Sequence, residues 1–201
     1  MKMDSENLGQ AKKRNAKVWI TEVAIEKVPF IEYKGLTEKQ NENIQKIAQE
    51  VLRLSREQNE SNEVAITCDL ADENMMDNYG VAFGDEMSVS VNADTLSFHI
   101  LMTAREATVI VLHNHPSTKT FSVNDLRYLF VYAKIKMLVV VSNQGTIHYI
   151  MKEKKYDRED ALKLLKECVA ENNKSNNAVT NAYKASVSFL SRCSEAGLFY
   201  R

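Results

Sequence analysis

The sequence predicts a mixed α/β domain built around one sheet. Short apolar runs rich in β-branched residues, such as "EVAITCDL" (63–70), "TVIVLH" (108–113) and "MLVVV" (137–141), read as buried strands. Between them lie segments whose apolar residues recur at helical spacing. The two kinds of segment alternate through the middle of the chain, as they do where helices pack on a sheet.

Residues 18–33, "VWITEVAIEKVPFIEY", are β-branched and aromatic with partial alternation, which predicts one or two strands. Pro29 confines the second of these to an edge or a bend. Thr37 and Gln40 form a capping box for a helix over about 37–58, with Ile44, Ile47, Ala48, Val51 and Leu54 on one face. The strand "EVAITCDL" comes next, then a polar loop, "ADENMMDNYG", in which Met75 and Met76 are expected to be partly buried rather than to meet a partner. "VAFGDEMSVSV" (81–91) reads as a hairpin turning at Gly84-Asp85. Asp94 caps a helix over about 95–106, the strand 108–113 succeeds it, and another helix spans about 123–135. "MLVVVSNQGTIHYIM" (137–151) is a strand, a turn at Asn143-Gln144-Gly145 and a strand. Asp157 opens a helix carrying Ala161, Leu162, Leu165 and Val169 on one face, and "ENNKSNN" (171–177) is a linker. A last helix uses Val179, Ala182, Tyr183, Ser186, Leu190 and Cys193, with Gly197 as its C-cap; it docks either on the core or on a partner.

At 201 residues the chain is long enough for one domain with a full core. No apolar run approaches the roughly 18 to 20 residues of a membrane span, and the N-terminus carries no secretory h-region. Cys68, Cys168 and Cys193 are too scattered for a disulfide framework and read as small core residues, so a reducing cytoplasm is expected. A net charge of −1 argues against a protein that coats nucleic acid. The one basic cluster, "AKKRNAK" (11–17), reads as a solvated tail.

The chemistry concentrates in "VLHNHPSTKTFSVNDLRYLF" (111–130). Side chains alternate along a strand, so His113 and His115 project on the same side and can share one cation, while Asn114 points the other way as a scaffold group. Pro116 ends the strand at its C-terminal mouth, where α/β folds place active sites. Asp125 then opens the next helix. Two imidazoles and a carboxylate make a three-ligand zinc set with the fourth position left for water, whose pKa the ion lowers towards about 7. On residue types alone a plainer reading stands beside this one: "SVND" (122–125) is also an N-cap serine with an acid at N3, and a buried histidine can be structural.

The string "HNHPSTKTFSVND" resembles the motif of the JAMM (JAB, or MPN-plus) metalloproteases: His-x-His-Pro, a short loop, then Ser-x-x-Asp. It is similar above all to the RadC-like branch, where "HNHPS" recurs and a helix precedes the histidine strand, over roughly residues 60–150. The loop between Pro116 and Ser122 is one residue shorter than the family spacing, and Thr118 and Phe121 stand where RadC-like chains usually have glycine and proline. The resemblance implies a JAB/MPN-like domain with His113, His115 and Asp125 as zinc ligands and Ser122 stabilising the oxyanion. It also implies a glutamate base from an earlier strand. Glu63, opening "EVAITCDL", fits better than Glu60 in the polar run, Glu86 at the predicted hairpin or Glu106 at a helix end. His99 and His148 read as packing or surface residues.

The expected organisation is then a tail over 1–17, strands and a helix over 18–58, a JAMM-like core over 59–173 and a C-terminal helix within 174–201. The expected activity is zinc-dependent hydrolysis of a peptide or isopeptide bond in a protein or peptide substrate, such as a ubiquitin-like protein or a protein terminus. The alternatives are a RadC-like protein working with DNA or mobile elements, and a scaffold that keeps the fold without turnover.

Overall fold

Local signals in the sequence account for most of the helices. In the computed structural model, which describes residues 17–201, Thr37 and Gln40 form the capping box at the head of α2 (Glu38–Gln58). Asp94 caps α3 (Thr95–Thr103), Asp157 caps α5 (Arg158–Asn172) and Asn177 caps α6 (Ala178–Arg192). Each side-chain oxygen takes an N–H that the first helical turn leaves without a partner. The basic cluster lies outside the described residues except for Lys17.

Six strands form one mixed sheet: β1 (Val64–Asp69), β2 (Gly80–Phe83), β3 (Val109–His115), β4 (Ile135–Ser142), β5 (Ile147–Lys152) and β6 (Leu198–Tyr200), in the order β2-β1-β3-β4-β5-β6. Only β3 and β4 are parallel, joined through α4 (Val123–Val131); the other neighbours are antiparallel. β3 is buried along its whole length, as a central strand covered on both faces must be.

Alternation along the strands separates two cores. Ile66, Ile110, Leu112, Val139 and Tyr149 face Ile44, Ile47, Val51 and Leu52 of α2, while Val111, Leu138 and Ile150 face α3 to α6. Burying each of the α2 side chains is worth about 1.5–3 kcal/mol relative to exposure. The C-terminal half of α6 contributes Phe189 and Leu190 to the second core, so the last helix docks on this domain. Among the described residues no helix is long and apolar enough to cross a membrane.

Several expectations are corrected. Residues 18–33 form no strand. Thr21 accepts the Ala24 N–H and starts a short helix, α1 (Glu22–Glu26). Residues 28–33 then run along α2 and are held by side chains instead of a ladder: Gln45 donates to the Val28 carbonyl at 2.9 Å and Tyr33 N–H donates to Asn41 Oδ1 at 3.2 Å. The apolar pattern there served burial of Ile20, Ile25, Val28 and Tyr33, not strand pairing.

The hairpin at Gly84-Asp85 has no returning strand. The Asp85 carboxylate accepts the N–H groups of Met87 and Ser88 and curls the chain, leaving Met87 78% exposed. α3 covers β2 instead, so closely that a Cβ on Gly80 would lie 2.3 Å from Ser97 N. Met75, expected to be partly buried, is fully buried in the α2-side core.

α3 and α4 stop three and four residues earlier than predicted, because cations take their terminal carbonyls. Lys134 Nζ donates to Met102 and Ala104, and Lys152 Nζ and Arg158 Nε donate to Tyr132 and Phe130. β6 was not anticipated. Gly197, in the left-handed region at φ 69°, reverses the chain onto β5 at a point where a Cβ would lie 2.3 Å from the Lys155 carbonyl.

Candidate metal centre

The strand parity that separates the cores also places the site. His113 and His115 lie on the same face of β3 as Val111, at its C-terminal end, towards α4. The β1–β3 register pairs Ala65 with His113. Continued by one side-chain repeat, it brings Glu63 beside His115, and Glu63 Oε1 lies 4.0 Å from His115 Nε2. α4 supplies the remaining group. Ser122 caps it by accepting the Asp125 N–H at 3.2 Å, and Ser122 N–H returns a bond to Asp125 Oδ2 at 2.6 Å. That capping box fixes the Asp125 carboxylate with Oδ1 3.6 Å from His113 Nε2 and Oδ2 3.6 Å from His115 Nε2.

The two imidazole Nε2 atoms are 3.0 Å apart. His115 Nδ1 lies 3.1 Å from the Lys119 carbonyl, to which it donates its proton, so the neutral ring presents a lone pair at Nε2. Taking one atom from each residue, the three donors lie within 4.8 Å of one another. Ligands at about 2.0–2.1 Å around a tetrahedral zinc stand roughly 3.3 Å from one another, so the set fits such an ion in donor type and comes within a small side-chain adjustment of its spacing. These three residues form a cluster able to hold a metal ion.

His113, His115 and Glu63 are each less than one-tenth exposed. Burial, reinforced by neighbouring His113, holds the His115 imidazole down to about 4. Burial would also lower His113, but the Asp125 carboxylate outweighs it and raises this ring. Asp125 is held well below the usual carboxylate range: burial works against that, and the two imidazoles, His113 above all, overcome it. Burial pushes the Glu63 carboxyl up to about 7 against the pull of His113, with Asp125 and Asp85 adding to the rise.

No protein-family model, curated protein or solved structure matches this chain.

All five predicted residues fall in this region, in different circumstances. His113, His115, Asp125 and Glu63 converge. Ser122 is exposed and one capping bond from Asp125; its oxygen is engaged by Asp125 N–H and its hydroxyl proton stays free to donate. Of the other glutamates, Glu60 and Glu106 are exposed. His99 is exposed on α3, and His148 stacks on Tyr200 at 6.1 Å.

Asn114 points to the opposite face, as its position between the histidines requires. Its Oδ1 accepts the Val64 N–H at 2.7 Å, and its Nδ2 lies 2.8 to 3.1 Å from Asn143 Oδ1, the Asn62 carbonyl and Ser55 Oγ. Asn143, which the sequence offered only as a turn residue, continues this network by donating to the carbonyls of Val18 and Ser61. The two amides tie the histidine strand to the chain entering β1 next to Glu63. Asn114→Ala strands several buried polar groups at once and is expected to cost about 3 kcal/mol of stability, read by urea denaturation at constant m-value. A cost under roughly 1 kcal/mol would mean that water replaces the amide.

Proposed function

We propose that this chain is a zinc-dependent hydrolase of the JAMM type that cleaves a peptide or isopeptide bond in a protein substrate. The observation that carries the reading is the convergence of two imidazoles and one carboxylate, with a second, buried carboxyl, that of Glu63 just before β1, 4.0 Å from His115 Nε2. A purely structural histidine cluster has no need of that last group, whose burial is costly. The motif resemblance supports the class of bond and the choice of zinc.

A bound divalent ion there supplies a Lewis acid for the scissile carbonyl and lowers the pKa of water at the site. Glu63 takes the proton from the attacking water and returns it to the leaving amine. Burial raises this carboxyl above its ordinary value while a bound cation would favour its ionised form, and the opposition of the two suits both directions of that transfer. Ser122, its oxygen already engaged by Asp125 N–H, directs its proton towards the developing oxyanion. Asp125 would be the third ligand, its carboxylate held beside both Nε2 atoms by the Ser122 capping box.

The test is elemental analysis of protein purified without a histidine tag, followed by assay on ubiquitin-like proteins carrying a C-terminal peptide or isopeptide extension. About one zinc per chain is expected, with cleavage abolished by a chelator and restored by zinc. A chain that takes up no divalent ion overturns the proposal. One that binds zinc but cleaves no such substrate turns it towards the scaffold reading.

A further inference from the structure

The loop between His115 and Ser122 has no regular structure, yet one of its carbonyls sets the orientation of the proposed ligand. His115 Nδ1 donates to Lys119 O at 3.1 Å. Something must hold that carbonyl still, and the C-terminal elements do so. Phe121, 1% exposed, meets the ring of Tyr200 edge-on at 6.3 Å. The Tyr200 hydroxyl lies 3.4 Å from His148 Nδ1. Tyr200 is fixed in turn by β6, where it pairs with Ile150, and by its stacking on His148. From α6, Tyr183 receives the Lys119 ammonium 5.7 Å from its ring centre.

We infer that Tyr200 is a positioning residue for His115: through Phe121 it fixes the loop carbonyl that holds the imidazole as the Nδ1–H tautomer with Nε2 facing the site. The inference rests on the proposed metal-ligand role of His115. It gives β6 a part in the centre, although no residue after Asp125 supplies a donor to it. Groups that orient a ligand in this way typically change metal affinity about 10- to 100-fold when removed.

The experiment uses the full chain with Tyr200→Ala, Tyr200→Phe and the control Phe199→Ala, whose ring packs on the opposite face of the sheet. Three quantities are read: the zinc dissociation constant by chelator competition, the melting temperature, and the ¹⁵N ring shifts of His115 in metal-free protein. Tyr200→Ala is expected to weaken zinc about 10- to 100-fold and to spread His115 over both tautomers. Tyr200→Phe, which keeps the ring contacts, recovers most of that loss. Phe199→Ala lowers the melting temperature with zinc affinity and tautomer unchanged.

If Tyr200→Ala melts lower but keeps wild-type affinity and a single His115 tautomer, Tyr200 is structural only and the inference is overturned. Should Tyr200→Ala fail to fold, Tyr200→Leu, which fills the space without a ring to meet Phe121, decides in its place, a wild-type tautomer and affinity counting against positioning. If the wild type binds no zinc, the metal reading falls, and the ring shifts of the metal-free chain still decide whether Tyr200 orients His115.

Discussion

His115→Ala is expected to yield a folded chain that retains no zinc and hydrolyses nothing. The centre offers three protein donors, and losing one leaves two, too few for a zinc site of either structural or catalytic kind. Removing groups that merely orient ligands already costs about 10- to 100-fold in affinity, so deleting a ligand costs more than that. The fold survives because His115 closes β3 at its mouth, outside the two apolar cores.

The same variant carries a pH signature. The folded chain holds His115 near 4, below the ordinary histidine value of 6.5, so between those values the unfolded chain binds a proton that the folded chain does not. Metal-free wild type therefore loses this contribution to stability as the pH falls from about 6.5 to about 4. His115→Ala lacks that loss, so its stability should exceed that of wild type more at pH 4.5 than at pH 7. His113, raised by Asp125, acts with the opposite sign, and its imidazole remains in both proteins. Urea denaturation at the two pH values checks the difference; a variant that declines in parallel with wild type would show that His115 is not held neutral.

How much was legible depends on the range of each interaction. The capping boxes at Thr37 and Ser122 are contacts three residues long, and the sequence displays them directly. The side shared by His113 and His115 comes from strand period alone. The β1–β3 register, which brings Glu63 to His115, joins residues about fifty positions apart, and only the type and place of Glu63 hinted at it. The 18–33 segment misled because β-branched residues favour strands only when a partner edge is free. Here Thr21 offered a cap first, and α2 offered an apolar face. Tyr200 and Asn143 act through contacts that no local pattern announces. An asparagine before Gln-Gly reads as a turn whether or not its amide is buried against the strand carrying His113 and His115.

In the proposed mechanism Glu63→Gln separates the base from the ligands. The amide keeps the size of the carboxyl and leaves His113, His115 and Asp125 in place, so zinc stoichiometry should stay at wild-type level while turnover falls at least about 100-fold. The metal-free stability should move the other way. Glu63 is 7% exposed and its carboxyl is pushed up to about 7, above its ordinary value of 4.5. Between those values the folded chain keeps a proton that the unfolded chain has lost, so stability falls as the pH rises through the window, and above it the full cost of a buried charge remains. Glutamine carries no such cost. Glu63→Gln should match wild type near pH 4 and exceed it by about 3 kcal/mol at pH 8, with the gain shrinking when zinc draws the Glu63 carboxyl back towards ionisation. Denaturation curves at both pH values, with chelator and with zinc, measure this directly. Full turnover in the variant would remove Glu63 from the mechanism, and an unchanged stability at pH 8 would mean that water reaches the carboxylate. A stabilised, zinc-loaded and inactive protein is the result that only a buried proton carrier at this position produces.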